Sequence, residues 1–207
     1  MNKTGALLVL CGIDGSGKTT QADLLERHLT SVGLEVFMTS EPTSWYLGDP
    51  LVRSYFSGQE VDERGLAALA LFAAADRARH VAEVILPQLR LGKVVVSSRY
   101  VHSTYAYFYG RGLRDHDWLA AINRYAIEPD LVFFLDIAPE EVARRVAKRG
   151  DKAKKEEVDI PRLRDIREKY LSFASDTFHV LDGSKSLNEV HSTIVSLVHP
   201  VLQRLRG

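Results

Sequence analysis

Five short apolar runs punctuate the chain, at residues 6–11, 35–40, 93–98, 131–137 and 178–182, each rich in Val, Leu or Phe and too brief for a helix. Continuous runs of this kind suit strands buried on both faces of a parallel sheet. Between them, apolar positions recur at helical spacing over 18–31, 62–91, 115–126, 139–149, 161–173 and 187–205. Pro139 fits the first turn of its helix, where the missing N–H has no intrahelical partner to lose. Pro87 falls inside the long pattern and is expected to kink or end it. Strand and helix alternate throughout, which predicts a doubly wound α/β fold: three layers around a five-stranded parallel sheet. No repeat, Gly/Ser linker or low-complexity tract divides residues 1–207, so one domain is expected.

The junction between the first run and the first helix carries the strongest chemical signal. It reads Gly12-Ile13-Asp14-Gly15-Ser16-Gly17-Lys18-Thr19, followed by Thr20, a complete G-x-x-x-x-G-K-[ST] phosphate-binding loop. The glycines let successive backbone N–H groups curl inward toward phosphate oxygens, and the helix that follows offers its positive end to the same anion. Lys18 is expected to reach the outer phosphates and Thr19 to ligate Mg²⁺. The segment from Gly12 to Thr20 therefore predicts a nucleoside triphosphate site.

Ligands of open α/β sheets bind beyond the carboxyl ends of the strands. That rule singles out Glu41-Pro42 after the second run and Arg99-Tyr100 after the third. A guanidinium at the latter position suits a phosphate, which it grips through two parallel hydrogen bonds.

Composition narrows the remaining classes. The 27 Lys and Arg balance 27 Asp and Glu, so no general field draws the molecule to nucleic acid or membrane. The lone cysteine, Cys11, excludes an intramolecular disulfide and, inside an apolar strand, reads as a buried thiol. The seven histidines lack metal-ligand spacing. Met1 leads almost directly into the first strand, leaving no room for a signal peptide, and no apolar stretch spans a bilayer; a cytoplasmic enzyme is expected.

Over nearly its whole length the chain resembles the thymidylate kinase family. The matching residues are the loop with Thr19-Thr20-Gln21, Glu41-Pro42, the stretch Ala74-Ala75-Asp76-Arg77-Ala78-Arg79-His80-Val81, and Arg99-Tyr100 with Ser103, Ala106 and Tyr107. Gly110-Arg111-Gly112-Leu113, Pro129-Asp130, Leu135-Asp136 and Lys148-Arg149-Gly150 complete the series. The resemblance implies a nucleoside monophosphate kinase that transfers the γ-phosphoryl group of ATP to deoxythymidine monophosphate, with Mg²⁺, as a homodimer. It assigns Lys18 to the migrating phosphoryl group, Asp14 to the acceptor's sugar, Arg99 to its phosphate and Arg77 to the thymine edge. Tyr100, Ser103 and Tyr107 line the acceptor pocket, with Glu41 and Pro42, and Arg144 covers the adenine. The loop carries no arginine at Gly15-Ser16, which implies that a mobile lid over 144–158 supplies the cations: Arg145, Lys148, Arg149, Lys152, Lys154 and Lys155, with Arg149 as the catalytic one.

The sequence also departs from the family pattern around the acceptor. Ser98 stands where aspartate normally precedes Arg99, and Ser40 where an arginine often precedes Glu-Pro. The stacking phenylalanine four residues before Arg77 is replaced by Ala73, with Phe72 about a hundred degrees round the helix, either stacking from a shifted position or simply packing. Phe108 takes the place of a common glutamine. These changes leave two alternatives open, a related kinase with altered acceptor specificity and a kinase-like nucleotide-binding protein with weak or no transfer.

Overall fold

A computed structural model describes residues 4–149 and 159–206. Strands β1 (Ala6–Cys11), β2 (Val36–Ser40), β3 (Val94–Ser98), β4 (Leu131–Asp136) and β5 (Phe178–Asp182) form one parallel sheet in the order β2-β3-β1-β4-β5. β1 lies at its centre, with Leu8 opposite Val96 on one side and Leu131 on the other. Every residue of β1 is buried, Cys11 included, as a strand covered on both faces requires.

Alternate residues of β1 feed two cores. Leu8 and Leu10 pack against α1 (Lys18–Ser31) and the last helix, α10 (Leu187–Arg206). Leu7, Val9 and Cys11 face α4 (Glu63–His80) through its continuation, α6 (Val101–Gly110), α8 (Pro139–Arg149) and α9 (Ile160–Leu171). A third, smaller core lies beyond the sheet, where α2 (Ser44–Gly48), α3 (Pro50–Phe56), α4, α6 and α7 (His116–Ile122) meet around Tyr46, Val52, Leu69 and Phe108.

Three departures from the sequence pattern have local causes. The pattern over 62–91 is not one helix: after His80 the backbone widens into a π turn at Val81–Ile85 before α5 (Leu86–Arg90) resumes. Pro87 has no N–H for the carbonyl four residues back, and the widened turn makes room for its ring. Helices α2 and α3 begin where no element was expected, each under a side-chain cap: Thr43 accepts from Trp45 N–H, and Asp49 accepts from Leu51 and Val52 with Pro50 following it. Helix α6 forms from a run rich in aromatic and β-branched residues. Its end is set by Gly112, which has a φ of 96° and lets Leu113 N–H reach back to the Phe108 carbonyl.

Candidate active site

The phosphate loop leaves β1 at Gly12, whose φ of 147° favours glycine and where a Cβ would stand 3.0 Å from the Leu135 carbonyl oxygen. Gly17, with a φ of 98°, opens α1 without any side-chain cap, and no acidic residue occupies the first helical turn. The helix N-terminus is thus left for an anion. The Ser16 hydroxyl is buried with no hydrogen-bond partner among the described residues, while Thr19 and Thr20 are exposed at the helix start. Lys18 folds back over the loop, donating to the Ile13 carbonyl at 2.9 Å and lying 3.7 Å from Asp14 Oδ1. Burial, reinforced by the charge of Arg99, pulls the Lys18 ammonium down to about 7. It is a cation short of counter-charge.

Arg99 leaves β3 with a φ of 69°, the left-handed region that costs a non-glycine residue on the order of 1 kcal/mol. Its N–H donates to the Leu10 carbonyl at 2.8 Å, and the Ser97 hydroxyl donates to the Arg99 carbonyl at 2.7 Å. This turn swings the guanidinium across the sheet end. Nη1 donates to the Gly12 carbonyl at 3.2 Å, and Nη2 donates to Asp14 Oδ1 and to the Tyr107 hydroxyl. Asp14, Lys18 and Arg99 therefore meet at one point between the phosphate loop and a neighbouring cavity.

That cavity, of about 250 Å³, opens between the sheet end and the third core. Asp14, Glu41, Pro42, Arg77, Arg99, Tyr100, Ser103, Tyr107 and Phe108 all line it, so the structure brings together every expected acceptor residue except Phe72. Phe72 packs instead against Trp45 and Tyr46, with ring centres 4.5 and 5.6 Å away, while Ala73 takes the cavity wall. Packing is the role its position gives it. Thr104, which the sequence reading passed over, lines the cavity and accepts a 2.7 Å bond from Arg77 Nη2. Asn123 accepts from Arg77 Nη1, and Glu41 from Arg77 Nε at 2.8 Å. Tyr100 is wholly buried, its hydroxyl accepting from Ile127 N–H and its ring 5.5 Å from the Arg77 guanidinium.

A model of the family described as thymidylate kinase matches residues 10–194. The chain belongs to the thymidylate kinase family. It is 40% identical over 198 residues to a probable thymidylate kinase of Pyrococcus horikoshii, covering 94% of this chain and 96% of that protein. It is 39% identical over 206 residues to the thymidylate kinase of Pelotomaculum thermopropionicum, covering 96% and 94%.

On the nucleotide side two adjacent arginines are placed differently. Arg144 is exposed and forms a two-pronged pair with Glu141 at 2.6 and 2.7 Å. Its neighbour Arg145 points into the cleft, with Nη1 3.5 Å from the Gly15 carbonyl and Nη2 3.2 Å from that of Gly183 in the turn after β5. Helical spacing turns consecutive residues about a hundred degrees apart, and here Arg145 is the one that reaches the loop. The lid expected over 144–158 falls mostly on residues 150–158, outside the described residues, as do Lys152, Lys154 and Lys155; the side chains of Lys148 and Arg149 are likewise outside the description. Among the described residues no helix is long and apolar enough to cross a membrane.

Proposed function

We propose that this protein transfers the γ-phosphoryl group of ATP to deoxythymidine monophosphate, giving the diphosphate and ADP. The observation that carries the reading is the meeting of Asp14, Lys18 and Arg99 where the phosphate loop borders the cavity. Phosphoryl transfer has a loose transition state and needs two anions held in line and neutralised, not a strong base. The donor's phosphates lie on the loop amides and the ammonium of Lys18; the acceptor's phosphate lies against Arg99, and its base reaches toward Arg77 and Thr104. Arg77 commits three of its five N–H groups to Glu41, Asn123 and Thr104, which fixes its plane and leaves two for the cavity. Arg145 serves the nucleotide base in place of Arg144. The residues of the 144–158 segment close over the phosphates as a lid, Arg149 supplying a catalytic cation.

The donor set fits Mg²⁺ held mainly by phosphates and water. No group of three His, Cys, Asp or Glu gathers among the described residues, whereas Thr19 presents an exposed hydroxyl at the start of α1. When bound, the ion neutralises charge on the phosphate oxygens. Two chains pair through the outer face of α4, where Leu71 is half exposed; the alanine-rich face, with Ala70, Ala73 and Ala74, is already used inside the chain. The protein works in the cytoplasm and needs no nucleic acid or membrane.

The test is ADP formation from ATP and Mg²⁺ across deoxythymidine, deoxyuridine, uridine, cytidine, guanosine and adenosine monophosphates. A clear preference for deoxythymidine monophosphate is expected. Preference for another acceptor would show that Ala73 and Phe108 have redirected the cavity, and ATP binding without acceptor-dependent turnover would leave a nucleotide-binding protein.

A further inference from the structure

Arg111, from the Gly-Arg-Gly-Leu motif, has no part in the chemistry above, yet it lines the cavity. Its N–H caps α6, donating to the carbonyls of Tyr107 and Phe108 at 3.1 Å. Its guanidinium carbon lies 4.9 and 5.7 Å from the ring centres of Tyr55 and Phe56, and 5.9 and 5.1 Å from those of Tyr107 and Phe108. The first two rings end α3, and the other two belong to α6. One cation therefore joins two elements through the faces of four rings.

Both elements contribute to the cavity lining, Phe56 from α3 and Tyr107 and Phe108 from α6. α2 and α3 are rooted in the third core by Tyr46 and Val52, both buried, while Leu47 and Phe56 reach the cavity and are each 46% exposed. Beyond Phe56 the chain is exposed from Ser57 to Glu60. The Tyr55–Phe56 end of this segment meets the body of the protein at Arg111, with Tyr55 also packed against the third core and Phe56 exposed. Attraction between a cation and ring faces strengthens as water leaves. A ligand that fills the cavity displaces water beside Arg111, so closing the segment and binding the ligand favour each other.

We propose that residues 44–56 form a flap over the acceptor and that Arg111 is the positioning residue that holds its Tyr55–Phe56 end closed over the bound monophosphate. The proposal rests on the reading of the cavity as the acceptor site.

Steady-state kinetics with ATP and deoxythymidine monophosphate tests it. Arg111→Ala is expected to raise KM for the monophosphate about tenfold while kcat stays within about threefold and KM for ATP within about twofold. Arg111→Lys, which keeps a cation at the rings, recovers part of the loss. Phe56→Leu alters a half-exposed side chain and is expected to raise the same KM about threefold. It adds little when combined with Arg111→Ala, since the two remove one contact. Independent, additive effects of the two substitutions would overturn the proposal, as would a fall in kcat without a change in this KM. Thr104→Val, in the cavity wall, separates the two ideas. If it raises KM for the monophosphate and Arg111→Ala does not, the flap fails alone; if neither does, the cavity is not the acceptor site. Should Arg111→Ala fail to fold, Arg111→Lys and Phe56→Leu decide the question.

Discussion

Arg77 Nε donates to Glu41 Oε2 at 2.8 Å, and the two residues are only 4% and 3% exposed. The other carboxylate oxygen faces His80 Nδ1 at 3.1 Å, and His80 Nε2 meets the Thr39 hydroxyl at 2.8 Å. Glu41, at the end of β2, thereby ties the sheet to the arginine that lines the cavity.

Breaking a buried pair from one side leaves a charge without compensation and costs about 3–5 kcal/mol. Glu41→Gln is expected to destabilise the protein by about 3 kcal/mol in chemical denaturation and to raise KM for the acceptor. Adding Arg77→Gln restores part of the stability but none of the affinity, because the wall then lacks the Arg77 guanidinium. A Glu41→Gln protein as stable as the parent would show that the pair does not organise this wall.

Lys18 gives a pH dependence whose sign follows from burial. Its ammonium titrates near 7 in the folded protein against 10.5 for an ordinary lysine. Between those values the unfolded chain holds the extra proton, so the Lys18 contribution makes stability rise with pH across the window; below 7 the cost of the buried charge is present in full. Phosphates reverse this preference by favouring the charged form. ATP binding at pH 8 is therefore expected to take up close to one proton, and at pH 6 almost none through Lys18. Calorimetry in buffers of different ionisation enthalpy reads the uptake, and Lys18→Met abolishes it. Equal uptake in that variant would assign the proton elsewhere.

Ser98 ends β3 in register with Leu10 and Ser40, one residue before the turn that aims Arg99. The carboxylate of Asp14 is already engaged by Arg99. An aspartate at 98 would add attraction for the metal on the order of 1–3 kcal/mol at an effective dielectric near 20. Ser98→Asp is expected to lower the half-saturating Mg²⁺ about tenfold at fixed ATP. An unchanged Mg²⁺ titration would separate position 98 from the metal altogether.

The strands and the phosphate loop were legible because their signals are local. A short apolar run needs no partner to be recognised, and the glycines of the loop are tied to backbone angles such as the 147° φ of Gly12. The acceptor side depends on tertiary packing. α6 is built from residues that favour strands elsewhere, and it becomes helical because Val101, Ala106 and Phe108 bury against two cores at helical spacing. The Gly112 stop and the Asp49-Pro50 start were the local clues to α6 and α3. Phe72 and Ala73 differ by a single residue, and only the direction of α4 shows which one meets the cavity. The same rotation separates Arg144 from Arg145.

That last pair gives a sharp comparison, since the two side chains are adjacent in sequence and share Glu141. Arg145 bridges the loop and the turn after β5, so removing it takes a cation and a flat surface from the nucleotide cleft. Arg144 lies on the outer face, where an exposed ion pair contributes little. Arg145→Ala is expected to raise KM for ATP about tenfold, with KM for the acceptor unchanged, and Arg144→Ala to raise it less than about twofold. Both variants keep the helix, because alanine favours it. A larger effect at Arg144 would mean that α8 turns when nucleotide binds, bringing that face to the loop.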